Sequence, residues 1–289
     1  MLYRKIRSYI DDHFRSNEDK ILLIEGARQI GKSYIIRDVG TELYDNYVEI
    51  NFVEDDAGDK IFRNVRTTEE FYLNLSMVAG FKLDKYENTL VFIDEIQHYP
   101  QFLTMLKFLR QEHRYRFICS GSLLGIALKK TVSVPVGSII PKKMYQLDFE
   151  EFLIANDFGE DAIAHLRKSF EQKQPLAPEV HDKVLSLFKR YLLVGGMPDA
   201  VNEYLNSHNI VKVREAQESI RELYGVDASR YEEDAAKKLY IRRIYDMIPS
   251  QMENKKKRIV AKDILDRKGD RFSNYMEEFE YLINSGITI

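Results

Sequence analysis

The strongest constraint on the fold of this chain is an eight-residue stretch, Gly26-Ala27-Arg28-Gln29-Ile30-Gly31-Lys32-Ser33, that follows an apolar run and leads into a segment of helical spacing. It satisfies G-x-x-x-x-G-K-[ST] at every fixed position. With 14 Gly, 23 Lys and 23 Ser/Thr in 289 residues, about 0.004 such matches are expected by chance. The order strand, glycine-rich turn, helix is what phosphate binding needs. The glycines let the loop turn its N–H groups inward, and the helix start adds the positive end of its dipole. In this pattern Lys32 reaches the β/γ phosphates and the Ser33 hydroxyl ligates Mg²⁺. The whole segment Gly26, Ala27, Arg28, Gln29, Ile30, Gly31, Lys32, Ser33 and Tyr34 is therefore the expected nucleotide cradle.

Leu90-Val91-Phe92-Ile93-Asp94-Glu95 supplies a second element: four apolar residues of a buried strand, then two carboxylates at its carboxyl end. Asp94 is placed to hold Mg²⁺, and Glu95 to act as general base on a water attacking the γ-phosphate. A third strand ends in Ser120-Gly121-Ser122, where the Ser120 hydroxyl could contact the γ-phosphate or that water; a simple turn is the competing reading.

From residue 20 to about 147, short apolar runs alternate with amphipathic stretches. This predicts an α/β domain with a doubly wound, parallel, five-stranded sheet, its strands at 21–25, 47–52, 90–94, 116–120 and 144–147. Asp148 and Glu151 form a capping-box pattern that opens a helix. Beyond it the apolar residues recur at three- and four-residue steps, as in Val184, Leu187, Phe188 and Tyr191, so the second half is expected to be helical. Breaks are expected between about Gln172 and Glu179, where Pro175 and Pro178 mark a loop, and at Gly195-Gly196-Met197-Pro198. The charge balance points to no partner: 21 Lys/Arg against 22 Asp/Glu up to residue 150, and 22 against 24 after it. The longest apolar runs are four residues, far below the roughly 18 of a spanning helix. The single cysteine, Cys119, fits a reducing compartment. Cytoplasmic location without membrane attachment is the expectation. The six histidines show no metal-ligand spacing.

These motifs, together with Tyr145-Gln146-Leu147-Asp148-Phe149-Glu150-Glu151-Phe152 and Gly195-Gly196-Met197-Pro198, resemble the AAA+ superfamily, and more closely the prokaryotic AAA ATPases that carry a C-terminal domain of unknown function. The resemblance implies ATP as nucleotide, Mg²⁺ as metal and Ser120 as first sensor. It also implies a helical lid whose Gly-Gly-Met-Pro turn brings Pro198 to the adenine side. The implied division is a P-loop ATPase domain at 1–155, a lid at 156–235 and a winged-helix-like segment at 236–289. Members of the family are usually longer. This sequence ends in Gly286-Ile287-Thr288-Ile289, which reads as the start of a strand and leaves open that the chain is a fragment. The interval 123–144 has lysines but no arginine to serve as a finger, so slow hydrolysis is expected, and oligomeric state is not read from the sequence.

The leading expectation is a slow, Mg-dependent ATPase switch coupled to its C-terminal segment. One alternative is a DNA-binding or protein-binding module controlled by ATP, with Lys255-Lys256-Lys257-Arg258 as phosphate contacts. A small-molecule or nucleotide kinase is the other.

Overall fold

A computed structural model of the chain describes residues 2–16, 18–80, 83, 85, 87–122, 137–229, 232, 234–253, 260–265, 269 and 271–284. Two compact units divide it. One comprises Lys20–Arg28, Asn46–Lys142 and Ile220–Ile289; the other comprises Met1–Asp19, Gln29–Asp45 and Lys143–Ser219.

The first unit holds a five-stranded sheet. Its strands are β1 (Ile21–Glu25), β2 (Asn46–Asn51), β3 (Thr89–Asp94), β4 (Arg116–Gly121) and β5 (Ile139–Lys143), in the order β2-β3-β4-β1-β5. The pairs β2/β3, β3/β4 and β1/β4 are parallel. In β3 every residue is buried, which explains its unbroken apolar run: a central parallel strand is covered on both faces. Over β2 and β3 lies an aromatic cluster in which Phe52, Phe62, Phe71 and Phe102 are all buried, with Phe52 and Phe102 centroids 4.6 Å apart. These come from helices α3 (Phe52–Ala57), α4 (Thr68–Ala79) and α5 (Gln101–Glu112) and the turn at Phe62.

Two strand expectations need correction. The second strand stops at Asn51, because the Asn51 side chain accepts from the N–H groups of Val53 and Glu54 and so caps α3; Phe52 is already helical. The fifth strand is Ile139–Lys143 and not 144–147. It lies at the sheet edge beside β1, with only Ile139 buried and the rest half-buried or exposed, so it carries Pro141 and two lysines where a buried run was sought.

The C-terminal part of this unit is helical where it is described. It runs through α11 (Ala235–Glu253), α12 (Lys262–Leu265), a 3₁₀ turn (Phe272–Tyr275) and α13 (Met276–Asn284). Ile241, Ile244, Ile264, Tyr275, Phe279 and Leu282 form its core, with Tyr240, Tyr245 and Tyr281 packed against it. The expected wing strand at 286–289 and the basic run at 255–258 lie outside the described residues, as do residues 123–136.

The second unit is built of helices: α1 (Lys5–Arg15), α2 (Lys32–Leu43), α6 (Phe149–Ala155), α7 (Glu160–Glu171), α8 (Pro178–Val194), α9 (Pro198–Ser207) and the first turns of α10 (Ile210–Asp227). Asp148 and Glu151 close the expected capping box at the start of α6. Leu147, Phe152, Val194, Ala200, Val201, Tyr204 and Val213 are its core. Gly196 is required there by close approach: a Cβ at this position would meet the Leu147 carbonyl oxygen at 2.1 Å. Its own carbonyl accepts from the Leu147 N–H at 2.8 Å. Among the described residues no helix is long and apolar enough to cross a membrane.

Candidate functional site

Strand register places the polar residues of the sheet together. Asn51 is level with Asp94, Ile93 with Cys119, Ile24 with Ser120 and Glu25 with Gly121, all at the carboxyl ends of parallel strands. That end is where open α/β sheets bind ligands. Asp94 is 4% exposed and Ser120 fully buried, and the Ser120 hydroxyl donates to Asp94 Oδ1. The Glu95 N–H donates to the same oxygen at 2.9 Å. Two donors on one buried oxygen fix the direction of the carboxylate, as a ligand to a hard cation requires.

Glu95 adopts a left-handed backbone (φ 53°) before a short 3₁₀ turn, Ile96–His98. This turns its side chain to Ser122 and Gln97. Ser122 Oγ donates to Glu95 Oε2 at 3.0 Å, and Gln97 Nε2 donates both to Glu95 Oε2 and, at 3.2 Å, to Ser122 Oγ. Gln97 is buried, and its carbonyl oxygen has no hydrogen-bond partner. In the same unit the Arg28 side chain leaves the loop for Asp227, at the end of α10, with Nη1 2.6 and 2.7 Å from the two carboxylate oxygens. Its Nε donates to Ser122 Oγ at 3.3 Å. Tyr224, one turn before Asp227, donates its hydroxyl to the Arg28 carbonyl at 2.5 Å. Burial pushes that phenol up to about 12.

The remainder of the cradle belongs to the helical unit. Gln29 and Gly31 have positive φ, 58° and 92°, on either side of Ile30, an alternation that turns successive N–H groups to one side. Lys32 is 6% exposed and opens α2 directly after Gly31, while Tyr34 is exposed. Arg4, 5% exposed, holds the loop from within this unit: Nη1 donates to the Ile30 carbonyl at 2.7 Å, Nη2 donates to the Tyr145 carbonyl, and Nε lies 3.4 Å from Glu151. Pro198 stands at the start of α9, after the glycine break.

Thus Gly26, Ala27, Arg28, Asp94, Glu95 and Ser120 share one unit, and Gln29, Ile30, Gly31, Lys32, Ser33, Tyr34 and Pro198 share the other. Four contributors carried no assigned role in the sequence: Ser122, Gln97, Asp227 and Arg4. Ser122 and Gln97 stand beside recognised motifs and could have been flagged. Asp227 is 199 positions from Arg28 and gave no local signal. Among the described residues no group of three or more His, Cys, Asp or Glu could hold a metal; magnesium with a nucleotide needs only one or two protein ligands, because phosphates and water supply the rest.

Two family models match the chain, an AAA domain at residues 18–153 and a domain of unknown function at residues 185–288. The chain is an AAA-domain protein with a C-terminal domain of unknown function. The five-stranded sheet fits the AAA domain that spans it. Among solved structures it is similar to the Walker-type ATPase PABY2304 of Pyrococcus abyssi, with 16% identity and a TM-score of 0.60, covering 99% of this chain and 90% of that one. Weaker likenesses reach ORC2 of Aeropyrum pernix (12% identity, TM-score 0.47, 98% of this chain and 86% of that one) and PCH-2 of C. elegans (15% identity, TM-score 0.40, 74% and 69%). No curated protein sequence matches it.

Proposed function

We propose that this AAA-domain protein binds ATP with Mg²⁺ and hydrolyses it slowly, as a switch read out by its C-terminal segment. The observation that carries the reading is the pairing of the buried Asp94 with the Ser120 hydroxyl at the carboxyl end of the sheet, with Glu95 next in the chain. The complete loop motif at 26–33 supports it. In this reading the N–H groups of Gly26 to Ser33 cradle the phosphates and Lys32 neutralises their charge. Ser33 and Asp94 hold the magnesium, which when bound offsets charge on the transferring phosphoryl group. Ser120 senses the γ-phosphate, Glu95 takes a proton from the attacking water, and Tyr34 and Pro198 flank the nucleotide. We place the functional boundaries at 1–155, 156–235 and 236–289, with helices α11 to α13 as the body of a winged-helix-like segment that could meet protein or DNA. The buried Cys119 fits a cytoplasmic protein.

The test is nucleotide binding and phosphate release by the purified chain. Lys32→Ala should remove most ATP affinity by calorimetry, and equal affinity would overturn the cradle. Glu95→Gln should retain ATP yet lose turnover by about 10²- to 10⁴-fold; undiminished phosphate release would remove Glu95 as base. Because 123–144 offers no arginine, turnover of the wild-type chain should lack the roughly 10³- to 10⁵-fold contribution of an arginine finger. A fast rate independent of protein concentration would mean that a cis arginine exists. Arg110 and Arg114 are poorly placed for it: Arg110 donates to the Gly137 carbonyl, next to the start of β5, and Arg114 lies over the Tyr72 ring.

A further inference from the structure

The hydrogen-bond capacity of Ser122 is fully used, and this makes it directional. A serine hydroxyl has one proton and two lone pairs. Arg28 Nε and Gln97 Nε2 both donate to Ser122 Oγ, at 3.3 and 3.2 Å. With its lone pairs filled, the hydroxyl sends its proton to Glu95 Oε2. Arg28 is in turn oriented from both ends of the same helical turn. Asp227 takes the guanidinium with both carboxylate oxygens, and Tyr224 takes the backbone carbonyl. The pair is largely shielded, with Arg28 and Asp227 side chains 21% and 13% exposed, so its attraction is only weakly screened. Glu95 itself sits at a left-handed position before a 3₁₀ turn, where no regular helix holds its side chain; the donors on its carboxylate decide where it points.

We propose that Asp227 is a positioning residue for ATP hydrolysis: through Arg28 and Ser122 it orients Glu95, so that the end of α10 sets the turnover of the site. The inference rests on Glu95 acting as base, and it makes the coupling to the C-terminal segment concrete. Asp227 directly precedes Ala228, a member of the C-terminal core. A partner that displaces this turn slows hydrolysis without touching the nucleotide.

The experiment uses the full chain, reading kcat at saturating MgATP and nucleotide affinity separately. Asp227→Asn keeps the shape and removes the charge; kcat should fall about 10- to 100-fold, as for a misaligned catalytic group, with affinity little changed. Asp227→Glu should recover part of the loss. In a double-mutant cycle, Ser122→Ala combined with Asp227→Asn should be no slower than Ser122→Ala alone, because both break one chain of contacts. Arg28→Lys, which keeps the charge beside Asp227 but cannot also reach Ser122 as a guanidinium does, should match Ser122→Ala in kcat; this variant tests the relay even where Asp227→Asn fails to fold. Unchanged or raised kcat in Asp227→Asn, or effects that multiply in the cycle, would overturn the relay while leaving the Glu95 assignment intact. Turnover that survives Glu95→Gln would instead overturn the base, and the relay with it.

Discussion

Arg4 and Arg28 each fasten the loop between β1 and α2, and they do so with different consequences. Arg4 is almost wholly buried and spends its guanidinium on two backbone carbonyls and Glu151 of the helical unit. Those partners are two backbone carbonyls and the capping carboxylate of α6, not the carboxylates at the ends of the strands. Arg28 is one fifth exposed and joins Asp227 to Ser122, which bonds Glu95. The first arrangement is a structural clamp and the second a relay. The difference teaches that one residue type in or near one loop serves stability or control according to what lies at its far end.

The clamp is the place to look for the largest loss of stability. Arg4→Ala leaves the Glu151 carboxylate and two carbonyls without their buried partner and should cost about 3–5 kcal/mol in urea denaturation. A loss below about 1 kcal/mol would show that water replaces the guanidinium and that no clamp exists. Next comes Gly196→Ala. The new methyl group would have to displace the Leu147 carbonyl, 2.1 Å from its ideal position, at about 2–3 kcal/mol. Tyr191 donates to that same carbonyl at 2.8 Å, so the lesion falls in the clamp's unit; a cost below about 0.5 kcal/mol in urea denaturation would show that the carbonyl yields freely.

On the relay side the stability effect is smaller and depends on pH. Tyr224→Phe removes one hydrogen bond, about 1 kcal/mol. Burial raises the wild-type phenol from 10.0 to about 12, which favours the neutral ring in the folded state. Its stabilisation is therefore whole below pH 10 and is lost as pH rises toward about 12. Wild type should lose more stability than Tyr224→Phe across that window, and parallel pH curves would place the hydroxyl in solvent. The smallest effect belongs to Lys5, whose Nζ lies 2.6 Å from Asp148 and 3.2 Å from Glu150 with its side chain 40% exposed. Lys5→Ala should cost about 0.2–1 kcal/mol, fading in high salt. A cost equal to that of Arg4→Ala would erase the distinction between a buried clamp and a surface pair.

Legibility in the sequence followed burial and locality. β3 was readable because Leu90 to Ile93 are apolar on both faces, and the capping box of α6 because its two residues lie three apart. β5 was misread because an edge strand that is largely uncovered tolerates Pro141, Lys142 and Lys143. At the site, Asp94 and Ser120 were readable as the ends of strands. Ser122 and Gln97 were in view but had no role until Glu95 turned toward them, and that turn depends on a left-handed residue which periodicity does not report.

By itself, then, the sequence determined the elements whose physics is local: a glycine loop between strand and helix, carboxylates at the end of an apolar run, a helical second half. Tertiary structure alone decided the strand order β2-β3-β4-β1-β5 and the partners of Arg4 and Arg28. A guanidinium can pair with any of the 46 acidic residues in the chain. Which one it meets is set by the path of the backbone, and for Arg28 that path returns after 199 residues to a single turn of α10.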